Sequence, residues 1–343
     1  MHRVAVLVGS TTDGGSTLGA GAGYGGTLEE VDPELVDILG DDVVIVSYDE
    51  AIQSKDCLAV LTLTHANVNS ALLDALGPNV RVVSNYGVGV NHIDLDECAR
   101  RGIPVGNTPG VLTDATADLA WTLLLGAARR LPQCDAYTRG PDFDKYHNMI
   151  FLGANVSNQT LGIIGMGAIG GEIARRAQGF KMKTLYFNRN QKSAEREAEV
   201  SASFATLDAL LAQSDFVVLA CPLSASTAGI INATALTKMK SSAILVNVGR
   251  GGLVDQDALL AALDATDGSG IAMAALDVST PEPLPRGHAL LQRDDVVWTP
   301  HRGSATAGTR RAMAELAVRN LQLGLASEAL ECCCNGVTTR STT

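Results

Sequence analysis

Three side chains able to handle a carbonyl and a carboxylate follow apolar runs in the second half of the chain. They are Arg250 in Asn247-Val248-Gly249-Arg250-Gly251-Gly252, Glu282 in Thr280-Pro281-Glu282-Pro283, and His301 in Thr299-Pro300-His301-Arg302-Gly303-Ser304. A guanidinium has several fixed donors and can grip a carboxylate or a carbonyl oxygen, which orients the carbonyl carbon. An imidazole can hand a proton to that oxygen as a hydride reaches the carbon, and a carboxylate neighbour such as Glu282 favours the protonated ring. Asp277 ends the apolar run just before Glu282 and is placed to hold a carboxamide of the hydride carrier rather than to move a proton. Each residue has an ordinary alternative: Arg250 a strand-end cap, Glu282 a solvated loop acid, His301 a turn histidine. Standing together at strand ends of one sheet, they point to hydride exchange between a nicotinamide and a 2-keto or 2-hydroxy acid.

The carrier has its own signature. An expected strand at 160–164 runs into Gly165-Met166-Gly167-Ala168-Ile169-Gly170 and then into a helical pattern. Gly165 permits the tight turn, Gly167 lets the backbone approach a pyrophosphate, and Gly170 allows close packing of helix on strand. The amides at the helix start then face the phosphates. NAD-preferring sites place an acid about 20 residues on, against the ribose 2′-hydroxyl. Here the next strand leads into Asn188, Arg189 and Asn190, with Lys192 just beyond and no carboxylate among them. A guanidinium suits a 2′-phosphate, so the expected cofactor is NADP(H), with NAD(H) as the second possibility. The plain alternative for Arg189 is a solvated surface arginine.

The elements that must position these groups read as α/β throughout. Short strands at 4–8, 43–46, 59–62 and 80–84 alternate with amphipathic stretches such as 70–76, the rhythm of a parallel sheet with crossover helices. Six further strands are expected at 160–164, 184–187, 216–220, 243–248, 272–277 and 296–298, a doubly wound dinucleotide-binding sheet. A long helix at 114–130 ends at Arg129-Arg130-Leu131-Pro132, and a last helix at 305–326 returns to the first domain. The expected architecture is two Rossmann-like domains, with doubly wound parallel sheets flanking a cleft. Residues 1–108 with 305–343 form a discontinuous substrate domain, and 109–304 form the dinucleotide-binding domain. In the first domain, Asn85-Tyr86-Gly87-Val88-Gly89-Val90-Asn91-His92 follows a strand, and the Val88 and Gly89 amides can form a backbone nest for a carboxylate or remain a plain tight turn.

With 343 residues the chain has length for about two domains. Its net charge of -11 argues against a nucleic-acid partner, while a few local arginines still serve an anionic substrate. Seven cysteines, Cys57, Cys98, Cys134, Cys221 and Cys332-Cys333-Cys334, lack both even pairing and metal spacing, which suggests reduced thiols, a cytoplasmic location and no metal site. The N-terminus starts directly on a strand pattern rather than a signal peptide, and the apolar stretch 115–128 is too short to span a bilayer. The Gly-rich segment 9–26 reads as a flexible loop. His2, His65, His92, His147 and His288 read as surface, loop or helix-start residues.

The segments YGVGVNHIDLDECARRGIPVGNTPGVLTDATADLA, LGIIGMGAIGGEIARR, VNVGRGGLVDQDAL, ALDVSTPEPLP and WTPHRGSAT are similar, in this order, to the D-isomer-specific 2-hydroxyacid dehydrogenases. Within that family the chain most resembles the glyoxylate reductase/hydroxypyruvate reductase branch. The resemblance implies NADPH-dependent reduction of a small 2-keto acid, with Arg250 catalytic, Glu282 paired to His301, and His301 as proton donor. It implies substrate contacts from Val88, Gly89, Arg250, His301 and Ser304. It also implies cofactor contacts from Gly165, Gly167, Ala168, Ile169, Gly170, Asn188, Arg189, Asn190, Gln191, Pro222, Val248, Asp277 and Gly303. A homodimer is implied, joined through the nucleotide domains with help from the long helix. Relatives that use NAD on 3-phosphoglycerate or bulkier D-2-hydroxy acids, and corepressors of this fold that sense NAD(P), mark the alternatives. The chain departs from the branch in its long Gly-rich segment, in Phe143 and Tyr146 where tryptophans are usual, and in Arg302 beside the histidine.

Overall fold

The computed structural model describes residues 2–7, 33–40, 43–46, 48–63 and 67–338. The segment 9–26 and His65 therefore lie outside the described residues. The chain divides into two compact units, Met1–Leu112 with Ala305–Thr343, and Thr113–Ser304.

The first unit is built on five parallel strands among the described residues: β1 (His2–Leu7), β2 (Val43–Val46), β3 (Ala59–Thr62), β4 (Val82–Asn85) and β5 (Val105–Gly106). Their order is β2-β1-β3-β4-β5, a doubly wound arrangement that reverses between β1 and β3. Every residue of β3, β4 and β5 is buried, as expected for parallel strands covered on both faces. The two-residue β5 is too short to leave a periodic trace and was not expected from the sequence. Helix Ala307–Leu325 packs on this sheet: Ser84 Oγ donates to Ala317 O at 2.7 Å and Tyr86 Oη to Arg310 O at 3.0 Å. Gly324 makes the approach possible, since a Cβ there would stand 2.4 Å from Val82 Cβ.

The three-cysteine run is packed rather than loose. Gly106 and Cys333 form an antiparallel bridge, Asn107 N–H donates to Cys332 O, and Cys334 N–H donates to Val105 O. All seven cysteines are thiols. Burial pushes the Cys98 thiol up to about 12 and the Cys221 and Cys334 thiols up to about 11, whereas Cys333 is exposed. The thiolate is the reactive form, so iodoacetamide at neutral pH should label Cys333 and leave Cys98, Cys221 and Cys334 unmodified until the protein is denatured. Peptide mass spectrometry reads this, and native labelling of Cys98 would contradict the packing.

The second unit carries seven parallel strands rather than the six expected: β6 (Thr160–Ile164), β7 (Lys183–Phe187), β8 (Ala202–Phe204), β9 (Phe216–Leu219), β10 (Ile244–Asn247), β11 (Met273–Leu276) and β12 (Val296–Trp298). The order β12-β11-β10-β9-β6-β7-β8 reverses between β6 and β9, the place where such sheets take a dinucleotide. Strand β8 escaped the sequence reading because only its first residue is buried, so it shows no apolar run. The helix expected at 114–130 is Thr113–Ala128, followed at once by Leu131–Arg139. Arg130 takes the left-handed conformation between them, and Pro132, read as a terminator, lies in the first turn of the next helix, where its missing N–H costs nothing.

Candidate active site

Two of the three demands on the Gly-rich turn after β6 are met by tight contacts, and Gly167 leaves room for the third. Gly165 has φ +106, and a Cβ there would lie 2.5 Å from Cys221 N, so only glycine lets the turn press against the chain leaving β9. Gly170 touches the same turn from the helix side: its Cβ would fall 2.1 Å from Gly165 O. Gly167 is different, with nothing within 4 Å of its would-be Cβ. Helix Ala168–Ala177 starts there without a side-chain cap, whereas Ser193, Thr206, Asn232 and Asp255 cap their own helices. Gly167 and Ala168 are exposed, so this helix start is accessible, as an incoming pyrophosphate requires.

At the end of β7, Asn188 Oδ1 accepts Met166 N–H at 2.7 Å. That bond fixes the Gly-rich turn from the next strand, a supporting task beyond the cofactor contact expected of Asn188. Gln191 Nε2 donates to Glu197 Oε1 at 3.0 Å, and Tyr186 Oη donates to the same oxygen at 2.7 Å. Arg189 and Asn190 are exposed, and among the described residues no carboxylate is paired with Arg189. The nearby acid Glu197 thus accepts from Tyr186 and Gln191 rather than from Arg189, which fits a 2′-phosphate. Across the reversal point, Pro222 is exposed and its carbonyl accepts Thr227 Oγ1, while Val248 is buried with its N–H donating to Leu219 O.

Two of the three groups expected to act on a carbonyl meet in this unit, and the third, Arg250, follows β10 of the same sheet. His301 Nδ1 and Glu282 Oε1 are 2.6 Å apart, with the imidazole about one-third exposed. Burial lowers the pKa of the Arg250 guanidinium, and the Glu282 carboxylate opposes that shift, which places Glu282 within electrostatic reach of both partners. A guanidinium retains its proton under such a shift. Arg250 Nη1 donates to Gly249 O at 2.8 Å.

Asp277 holds the loop that carries His301. Its Oδ1 accepts Thr299 Oγ1 and Arg302 N–H, both at 2.6 Å, and its Oδ2 accepts Gly303 N–H at 2.9 Å. Burial pushes its carboxyl up, and the donors, Arg302 N–H foremost, pull it back. His301 itself has φ +52 and donates its N–H to Asp277 O at 2.8 Å. The expected role of Asp277 toward a carboxamide is thus joined by one the sequence did not show. Gly303 is buried beside Thr116, and Ser304, half-buried, ends the loop. Asn247 was also missed: its Nδ2 donates to Arg250 O at 2.9 Å and its Oδ1 accepts Gly249 N–H at 3.0 Å, which fixes the Arg250 turn. An asparagine ending a buried strand two residues before a glycine was the available signal.

In the first unit, Asn85 Nδ2 donates to Gly87 O and Gly89 O at 2.9 and 3.1 Å, and Asn107 Nδ2 donates to Val88 O at 2.9 Å. With these carbonyls held, no acceptor among the described residues takes the Val88 or Gly89 N–H. His92, expected as a loop residue, is buried and lies 3.1 Å from both Thr62 Oγ1 and Asn85 Oδ1, so it braces the same turn. Among the described residues no cluster of His, Cys, Asp or Glu is suited to a metal, and no helix is long and apolar enough to cross a membrane.

A family model described as D-isomer specific 2-hydroxyacid dehydrogenase, NAD binding domain, matches residues 121–303. A glyoxylate reductase of Thermococcus kodakarensis is 48% identical over 271 residues, 78% of this chain and 80% of that protein. The glyoxylate reductase/hydroxypyruvate reductase of Homo sapiens is 43% identical over 269 residues, 78% of this chain and 81% of that protein. Among solved structures, the NADPH-dependent glyoxylate/hydroxypyruvate reductase of Sinorhizobium meliloti, in complex with NADP and malonate, superimposes with a TM-score of 0.83 at 29% identity, covering 100% of this chain and 99% of that one.

Proposed function

Because this chain belongs to the D-isomer-specific 2-hydroxyacid dehydrogenases, we propose that it reduces a small 2-keto acid of the glyoxylate or hydroxypyruvate type to the D-2-hydroxy acid, with NADPH preferred over NADH and His301 as proton donor. The observation that carries the reading is the 2.6 Å contact of His301 with Glu282, with Arg250 in electrostatic reach, in the unit that holds the Gly-rich turn. Open space at Gly167 and an exposed Arg189 that pairs with no carboxylate among the described residues fit a phosphorylated dinucleotide. Bound there, it supplies the hydride.

The rest of the chemistry belongs to the chain. Arg250 grips the substrate carboxylate or carbonyl oxygen and fixes the carbonyl carbon toward the hydride. Glu282 binds His301 Nδ1–H, which leaves Nε2–H to protonate the developing alkoxide. The ring ends the cycle neutral and recovers its proton from solvent. Val88 and Gly89 are the candidate carboxylate-binding amides of the first unit, and Ser304 is a further candidate substrate contact. Asp277, Pro222, Val248 and Gly303 are the remaining candidate cofactor contacts.

The reading extends to a cytoplasmic homodimer. Of the large apolar side chains that are exposed, Leu131, Phe143, Tyr146, Met149, Ile150, Phe151 and Leu152 lie within 131–152, and a second copy is the covering we propose. Light scattering should give twice the chain's mass.

Absorbance of the reduced cofactor, followed with glyoxylate, hydroxypyruvate, pyruvate and 3-phosphohydroxypyruvate under NADPH and then NADH, tests the activity. Turnover is expected with the first two and is faster with NADPH. The family model names an NAD-binding domain, so a clear NADH preference would remove the cofactor assignment, and no turnover of any keto acid would remove the enzyme reading.

A further inference from the structure

We propose that Gln256 is a positioning residue for the proton-donating pair: its side-chain amide clips the main chain of Thr280 and holds the following turn where Glu282 meets His301. The proposal rests on the oxidoreductase reading above and adds a residue to it. Gln256 opens helix Gln256–Asp264, whose cap Asp255 accepts Ala258 N–H at 3.0 Å. From that fixed point its Nε2 donates to Thr280 O, and its Oε1 accepts Thr280 N–H at 3.0 Å. Both ends of the amide are therefore spent on one residue, two positions before Glu282.

The surroundings show what the clip adds. Within the turn, Ser279 Oγ donates to Pro281 O at 2.8 Å and Ser279 N–H lies 3.4 Å from Glu282 Oε2, bonds that shape the turn but tie it to nothing else. Two of the contacts seen among the described residues tie it to the preceding loop. Gly251, next to Arg250, lies so close that a Cβ there would stand 2.0 Å from Ser279 C and 2.6 Å from Thr280 Oγ1. The second attachment is the Gln256 amide, supplied by the helix that follows the same loop. Asn247 fixes the Gly249 and Arg250 main chain at the loop's other end. The turn bearing the guanidinium and the turn bearing the carboxylate are thus joined by packing at Gly251 and by paired hydrogen bonds at Gln256. Gln256 reaches the chemistry through Glu282.

A double-mutant cycle separates this role from a merely structural one. Steady-state reduction of glyoxylate by NADPH is measured for the wild type, Q256A, E282Q and the double variant. Gln256→Ala should lower kcat by roughly 10-fold, the effect of losing two neutral hydrogen bonds, with a smaller change in KM. In the Glu282→Gln background it should cost nothing further. Equal losses in both backgrounds, or a wild-type kcat in Q256A, would overturn the proposal. A crystal structure of Q256A gives a readout that needs no turnover: Glu282 is expected beyond hydrogen-bond distance of His301 Nδ1, and an unchanged 2.6 Å contact would overturn the clip. A wild-type protein inactive on every keto acid would therefore remove the enzymatic reading while the crystal structure still decides the role of Gln256.

Discussion

Replacing His301 with Asn lowers kcat for keto-acid reduction by roughly 10²- to 10⁴-fold, the ordinary contribution of a positioned general acid, and leaves NADPH binding in place. Asparagine is the appropriate substitute because His301 sits at φ +52, a left-handed conformation that Asn tolerates far better than Ala or Gln. The loop should also keep its anchor, since Arg302 N–H and Gly303 N–H donate to Asp277 whatever side chain stands at 301. The loss is thus assigned to the missing proton donor rather than to a collapsed loop. Stopped-flow mixing with hydroxypyruvate checks the rate, and cofactor fluorescence checks binding. A kcat within a few-fold of wild type would mean that another group or a water delivers the proton.

The second large effect concerns the cofactor. Arg189→Ala should reduce the preference for NADPH over NADH, expressed as the ratio of kcat/KM values, by roughly 10- to 100-fold, matching about 1.5–3 kcal/mol for bonds to a charged group. The change should fall on KM for NADPH, because a 2′-phosphate contact is the same in ground and transition states. Arg189 is exposed, so its removal opens no cavity and leaves no buried partner. Lys192, three residues on, would retain some of the preference through its charge, which sets the lower end of the range. An unchanged ratio would take Arg189 out of the account.

Parallel strands and glycine turns were the legible part of this chain. Strands covered on both faces read as continuous apolar runs, so β3, β6 and β9 are where the sequence places them, and helix Ser70–Leu76 matches the expected 70–76. The Gly-rich turn was readable because each glycine answers a separate steric demand, which Gly165 and Gly170 meet at contacts no side chain could survive. Strands β5 and β8 were not readable, being two and three residues long and held by neighbours rather than by any pattern of their own. Pro132 misled because proline ends one helix and starts another with equal ease.

At the candidate site, residue type and position at a strand end were enough to single out Arg250, Glu282 and His301. The contacts that fix the turns of the site were hidden. Asn247, Asn188 and Gln256 act through side-chain bonds to main chain that is close in space. For Asn188 and Gln256 those bonds span 22 and 24 positions, a pairing that no local pattern encodes. Asp277 was visible, but its part in anchoring the His301 loop depends on how the chain folds Arg302 and Gly303 back onto its carboxylate.

The central claim is a direct hydride transfer to the carbonyl carbon of a small 2-keto acid, completed by a proton from His301. It is tested most directly by turnover of hydroxypyruvate with NADPH that carries deuterium at the transferable C4 position, followed by mass spectrometry of the product. The account predicts D-glycerate with one deuterium at C2 for each cofactor oxidised. Glycerate without deuterium, the L-isomer, or no oxidation of the cofactor would contradict it.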